Sequence, residues 1–183
     1  MPDLTRPHLR GRLGTPYRFV PETASTQRLL GADDPEGTTV VADHQTAGRG
    51  RLGRVWEDVP GRSLLLSVLL RPAPPMPLWP ELSVIAGGAV ARAIGGEVRP
   101  PNDVFLNAKK VAGILPEATR GRVVLGIGVN VNHTADELPA GTVKPATSLR
   151  IETGREHDRA ELLAAILLEL EQAYDRWNAP YRR

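Results

Sequence analysis

No cysteine occurs among the 183 residues. A disulfide framework, a thiolate nucleophile and a cysteine-bound zinc site are therefore excluded. The absence suits a reducing compartment, and the cytoplasm is the expected location. No apolar run approaches the roughly 20 residues of a membrane helix. The opening Met1-Pro2-Asp3-Leu4-Thr5-Arg6 also lacks a basic-then-apolar leader pattern, so no membrane partner is expected. An excess of one charge is missing as well: 21 acidic and 23 basic residues are interspersed, leaving +2, and no nucleic-acid partner is expected. Lysine is scarce, standing only at Lys109, Lys110 and Lys144, while every other basic residue is arginine. A compositional bias toward arginine explains the scarcity but not why two of three lysines are neighbours.

What is present suffices for one core. A hydrophobic content of 41% in 183 residues fits one domain over residues 1–183. Tyr17-Arg18-Phe19-Val20, bounded by prolines, reads as a strand. Ser25 and Thr26 then precede Gln27-Arg28-Leu29-Leu30 as N-cap hydroxyls of a short helix ending near Gly31, whose freed amides can hold an anion. Thr38 to Ala42 is a buried strand, and Ser63 to Arg71 is another. Five prolines between Pro72 and Pro80 leave room only for a connection. From Leu82, apolar residues recur at helical spacing until Gly95-Gly96. Four short strands follow, at 97–99, 104–106, 110–115 and 122–131, with Asn107-Ala108-Lys109 as a hairpin turn. His157 to Asn178 carries a wide apolar stripe and closes the fold as a helix.

Between the second and third strands lies Gln45-Thr46-Ala47-Gly48-Arg49-Gly50-Arg51-Leu52-Gly53-Arg54-Val55-Trp56. Its glycines let backbone N–H groups approach a ligand, and its arginines offer charged forks suited to phosphate or carboxylate oxygens. The expectation is a mobile loop, ordered by an anion and hung from a rigid strand. Gly48 to Gly53 also satisfies G-x-G-x-x-G, but the dinucleotide-binding fingerprint needs its third glycine to open a helix, whereas Trp56 to Gly61 reads as a turn into a strand. Two arginines would also crowd a pyrophosphate cradle, and there is no Walker A sequence. Any nucleotide must be held by another device.

The loop resembles the signature segment of biotin protein ligases. Arg99-Pro100-Pro101-Asn102-Asp103 is similar to that family's Lys-Trp-Pro-Asn-Asp segment, Lys110 to Leu115 to its Lys-x-Ala-Gly-Ile-Leu strand, and Gly126 to Asn132 to its Gly-x-Gly-x-Asn element. Singly, each piece has a structural explanation: Trp56 as core, Asn102-Asp103 as a turn, Ser25-Thr26 as an N-cap. Four matches in the right order, spanning about Ser25 to Trp177, are far more specific.

The resemblance implies an α+β fold, a mixed and largely antiparallel sheet with helices packed on one face, as in class II aminoacyl-tRNA synthetases. It implies ATP-dependent, magnesium-assisted formation of biotinyl-5'-AMP, then transfer of biotin to a lysine of a biotin carboxyl carrier protein. Lys110, Arg49 and Arg51 would be catalytic. Ser25, Thr26, Gln45, Gly48, Arg49, Lys110, Gly113 and Gly128 would bind biotin, Gly128 by leaving room for its bicyclic ring. Arg51, Arg54, Trp56, Asn102, Asp103, Lys110 and Asn130 would face the nucleotide, Trp56 with an aromatic face and Asp103 as a link to Mg²⁺ or to Lys110. The alternatives are a lipoate or octanoate ligase of the same fold, and a non-catalytic biotin- or adenylate-binding relative. The glycine/arginine loop with Trp56 favours biotin. Departures stand at Gln27, where the family has Asn, at Pro100, where it has Trp, and at Pro116, where an edge or bulge is expected. Glu117 is either an acid backing the site or a surface residue. The segment before the first strand is too short for the winged helix of repressor-type ligases, and no room is expected for the small C-terminal SH3-like barrel. Resemblance alone suggests a homodimer.

Overall fold

Alternation along one strand sets the layers. In β3 (Ser63–Leu70), Leu64, Leu66, Val68 and Leu70 enter the large core, while Leu69 joins Leu30, Val40 and Val124 in a smaller cluster on the other face. All eight residues of β3 are buried, so both faces of the sheet are covered there. The computed structural model describes residues 4–139 and 144–182.

In chain order the strands are β1 (Tyr17–Thr23), β2 (Thr39–Gln45), β3, β4 (Glu97–Arg99), β5 (Asp103–Leu106), β6 (Lys109–Thr119) and β7 (Arg122–Asn130). They form one seven-stranded sheet in the order β1-β2-β3-β7-β6-β5-β4. Only β1 and β2 run parallel; the other neighbours are antiparallel. The helices are α1 (Leu82–Ile94), α2 (Leu149–Thr153) and α3 (Arg159–Asn178). α1 packs against α3 and covers β4, β5 and β6, while α3 reaches β3. α3 buries Leu162, Leu163, Ile166, Leu167, Leu170 and Tyr174, the stripe its spacing predicts. Asp158 caps it by accepting from the N–H groups of Ala160 and Glu161. The expected α+β architecture, a mixed sheet with its long helices on one face, is the one observed.

Several local expectations change. β1 continues through Pro21 to Thr23, tolerated because β1 is the sheet edge. Ser25 makes no capping bond, and the following turn is 3₁₀ over Thr26–Leu29, its first amide taken by a side chain described below. The proline connection contains a 3₁₀ turn, Met76–Glu81. The β5–β6 hairpin turns on two residues rather than three: Asn107 (φ 49°) and Ala108 (φ 64°) are left-handed, and Lys109 already pairs with Leu106. At Pro116 the expected edge is found: it sits in register opposite Leu125, beyond the last residue that β5 covers, so its missing N–H faces an open edge and leaves the β6–β7 ladder whole. α2 has no counterpart in the sequence reading. Among the described residues, no helix is long and apolar enough to cross a membrane.

Leu66 is 1% exposed in the large core, whereas Leu52 is 86% exposed. Leu66→Ala is expected to lower unfolding free energy by about 3 kcal/mol in urea titrations, with Leu52→Ala leaving the midpoint unchanged.

Candidate functional site

The face of the sheet away from α1 and α3 carries a floor made of glycine. Along β7, Val123, Leu125, Ile127 and Val129 enter the core, so the alternate residues Gly126, Gly128 and Asn130 face the other way. Register places Leu65 beside Gly128, Gly128 beside Gly113, and Gly113 beside Asp103, one row across β3, β7, β6 and β5. A neighbouring row is Ser67, Gly126 and Leu115. Above these rows lies a cavity of about 860 Å³.

One end of the floor is polar and satisfied. Gln45, at the end of β2, accepts from the Thr26 amide (2.8 Å) and the Thr26 hydroxyl (3.1 Å), and Thr26 Oγ1 also meets Ser67 Oγ at 2.7 Å. The Thr26 amide, expected as an anion donor, is therefore engaged by Gln45. Ser25 lines the same corner. Gln27 lies over Gly126, where a Cβ would come within 3.0 Å of its amide carbon, and it donates Nε2 to Leu115 O at 3.0 Å. The longer amide is accommodated because the floor beneath it has no side chain.

The glycine/arginine segment, expected as a mobile loop ordered by an anion, is a narrow hairpin roofing the cavity. Arg49 bridges Val55, Gly50 N donates to Arg54 O (2.8 Å), and Trp56 N donates to Gly48 O (3.0 Å). A Cβ on Gly48 would collide with the Trp56 carbonyl oxygen, so glycine is required where the hairpin strands cross. The tip turns on Leu52 (φ 58°) and Gly53 (φ 74°). Arg49 forms a two-point ion pair with Glu117 on β6, and Arg51 Nη1 lies 3.4 Å from Asn102 Oδ1. Glu117, undecided in sequence, is thus the carboxylate that fastens the roof. Trp56 places its indole flat on the floor: a Cβ on Gly128 or Gly113 would fall 2.7 or 2.9 Å from ring atoms. The space expected for a ligand ring at Gly128 is filled here by that indole. Its Nε1 is buried without a hydrogen-bond partner among the described residues.

Beyond Gly113 the site becomes cationic. Asp103, 4% exposed, accepts Lys110 Nζ on Oδ1 at 2.8 Å and Lys144 Nζ on Oδ2. Burial pushes this carboxyl up, but hydrogen bonds and charge from the two ammonium groups outweigh burial and hold it below its ordinary 3.8. Both oxygens expected for Mg²⁺ are thus occupied by ammonium groups. Among the described residues no cluster of three or more His, Asp or Glu side chains could hold a metal. Lys110 Nζ also lies 5.6 Å from the Trp56 ring centroid. Its backbone is bracketed: Lys110 N donates to Pro145 O and Thr147 N donates to Lys110 O, both at 2.8 Å. Asn130, expected on the nucleotide side, lines the cavity but donates its amide to Thr147 O at 3.0 Å, pinning the same segment.

The cavity therefore gathers every expected site residue except Gly48, which acts through the hairpin crossing. Arg54, Asn102 and Gly113 are among them, and Asn102 Nδ2 also holds Ile114 O at 3.1 Å. Three residues were missed as site components: Lys144, Ser67 and the bracketing Thr147. The rarity of lysine was the available signal for Lys144.

The sequence profile of the biotin/lipoate A/B protein ligase family matches residues 18–133. The Bifunctional ligase/repressor BirA of Bacillus subtilis is 41% identical over 166 residues, 82% of this chain and 51% of that protein. The Biotin--[acetyl-CoA-carboxylase] ligase of Mycobacterium tuberculosis is 34% identical, covering 97% of this chain and 73% of its own length. The chain thus spans about half the length of its Bacillus relatives. Among solved structures, a biotin protein ligase from Aquifex aeolicus in complex with biotin and ATP superposes with a TM-score of 0.75 at 35% identity, covering 88% of this chain and 71% of that one.

Two outcomes test this geometry. Gly128→Ala should push the indole off the floor and shift tryptophan emission to the red, a change that must vanish in a Trp56→Phe background. Because the Asp103 carboxyl titrates lower folded than unfolded, its contribution is present above about pH 4 and is lost as pH falls further. Asp103→Asn should lower stability at pH 7 by about 2 kcal/mol, the lysines' partial exposure softening the cost of breaking a buried pair, and should flatten the acid limb of the stability profile.

Proposed function

Since the chain belongs to the biotin/lipoate A/B protein ligase family, we propose that it is a biotin protein ligase, forming biotinyl-5'-AMP from biotin and ATP and passing biotin to a lysine of a carboxylase carrier domain. One observation carries the reading: a single glycine-floored cavity has a hydroxyl and amide corner at one end and a shared ammonium–carboxylate centre at the other, under an arginine hairpin. The ends suit the two ends of biotin. Thr26, Gln45 and Ser25 offer donors and acceptors to a ureido group, and Lys110 offers a fixed cation to a carboxylate. Solved relatives from Aquifex aeolicus and Leishmania major hold biotin with ATP and biotinyl-5-AMP, respectively.

In the first step a biotin carboxylate oxygen attacks the α-phosphorus of ATP. The bond to the β-phosphate oxygen breaks, and pyrophosphate leaves. Negative charge is spread over phosphoryl oxygens throughout, so preorganised cations are the protein's main contribution. Lys110 is held by Asp103 on one side and by backbone bonds to residues 145 and 147 on the other, so its ammonium requires little reorganisation. Arg51 and Arg54 approach from the hairpin, and Arg49 reaches the cavity where it now meets Glu117. In the second step the neutral amine of the carrier lysine attacks the acyl carbon, and AMP leaves with the electrons of the broken C–O bond.

Trp56 must leave Gly128 or slide along it when biotin enters, after which the indole can cover the ligand and exclude water from the mixed anhydride. Mg²⁺ would fit this donor set as an ion that enters with the nucleotide's phosphates, with Asp103 as the adjoining buried carboxylate, since among the described residues no cluster of His, Asp or Glu side chains forms a cage for it. It would neutralise phosphate charge there.

Pyrophosphate release should require ATP, biotin and Mg²⁺ together, with lipoate and octanoate inactive in parallel reactions. Release with lipoate instead of biotin would reassign the acid. Lys110→Ala should lower that turnover by roughly 100-fold or more, as for loss of one preorganised charge donor, with the far-UV circular dichroism of the folded protein retained; retained turnover would remove Lys110 from the chemistry.

A further inference from the structure

Asp103 is one carboxylate with two ammonium partners, and only Lys110 is accounted for by the reaction above. Lys144 takes the second oxygen, lies with Nζ 5.8 Å from the Phe105 ring centroid, and lines the cavity. Its side chain is 44% exposed against 27% for Lys110, so it stands nearer the mouth. The sites fall in a line across the floor: the Thr26–Gln45 corner, Gly128 under the indole, Gly113 beside Lys110, Asp103, then Lys144. A ligand with its polar head in that corner and its reacting carboxylate at Lys110 must carry any further anionic groups toward Lys144.

The chemistry of the shared carboxylate points the same way. Each oxygen of Asp103 takes one ammonium group, Lys110 on Oδ1 and Lys144 on Oδ2. Lysine is also the residue this geometry requires. Each ammonium is a point donor that takes one carboxylate oxygen, whereas a guanidinium presents a two-pronged fork that would claim both oxygens and displace Lys110. That accounts for lysine at this position in a chain whose other cations are almost all arginine.

We propose that Lys144 binds the β- and γ-phosphates of the nucleotide, exchanging its contact on Asp103 for the polyphosphate and meeting the pyrophosphate that departs. This deepens the ligase reading and rests on it for the identity of the nucleotide. The exchange leaves Asp103 with Lys110 as sole ammonium partner, or with an oxygen open to a phosphate-borne cation. Arrival of the polyphosphate and exposure of that oxygen are therefore one event.

The test compares wild type, Lys144→Ala and Lys144→Arg by calorimetry with magnesium pyrophosphate, Mg-ATP and biotin, and by steady-state KM for ATP and for biotin. Lys144→Ala should weaken pyrophosphate and ATP binding about tenfold and raise KM for ATP in proportion, as expected for loss of one charge-assisted contact, while biotin affinity stays put and the far-UV circular dichroism of the folded protein is retained. Lys144→Arg should fail to restore ATP binding and should also lower turnover, because it competes for Asp103. Unchanged pyrophosphate and ATP affinity in Lys144→Ala overturns the proposal, as does equal loss of biotin and ATP affinity, which would mark residues 144–147 as mere scaffold, and as does a wild type that binds neither phosphate ligand. Lys144-dependent pyrophosphate binding without turnover of biotin and ATP would instead sink the ligase reading and leave this one standing.

Discussion

The pairing of Gly113 with Gly128 is the constraint on which both core and cavity depend. Strand side chains alternate, so a one-residue slip of β7 would turn Leu125, Ile127 and Val129 into the cavity and the glycines into the core. Each fully buried aliphatic side chain contributes roughly 1.5–3 kcal/mol, so such a slip is strongly disfavoured. The floor inherits its precision from that burial. Glycine costs a strand some intrinsic stability, but at these positions it permits Trp56 and Gln27 to lie directly on the sheet.

The roof is held far more loosely than the floor. Arg49 and Glu117 are 42% and 32% exposed, and pairs of that kind contribute about 0–1 kcal/mol. Leu52 adds a cost of about 1–2 kcal/mol by adopting a left-handed conformation without being glycine. A rigid sheet below and a weakly latched hairpin above would let substrate binding energy close the site, as the proposed two-step reaction through a water-sensitive intermediate requires. The cationic end is intermediate in rigidity: Lys110 is fixed through its backbone, whereas Lys144 is fixed through its side chain on a shared acid.

Much of this was legible beforehand because it follows from local pattern. Runs of β-forming residues bounded by turn signals identified the strands, the apolar stripe of α3 predicted its buried face, and Gln45, Asp103, Lys110, Gly113, Gly128 and Asn130 lie on β2, β5, β6 and β7, strands that the pattern placed. What escaped reading depended on partners distant in sequence. The hairpin of residues 48–56 rests on backbone crossings that its glycines allow but do not dictate. The Thr26 amide found Gln45 instead of its own cap, and Asn130 turned to Thr147, because burial demanded a partner for each. Glu117 could not be assigned until Arg49 was seen beside it. The edge expected at Pro116 was legible, but that it arises because β5 stops short of it was not.

The bonds from residues 145 and 147 to Lys110 also set an order of assembly. Every strand of the sheet precedes Lys144, so a growing chain holds all the strand sequences before the segment that brackets Lys110 has been made, whereas α3, which closes the core over β7, follows that segment. At that stage Asp103 has a single ammonium partner and Asn130 awaits its carbonyl. The strands and the bracket around Lys110 are thus separated in time during synthesis, and the bracket comes into being only when the residues from Lys144 onward dock.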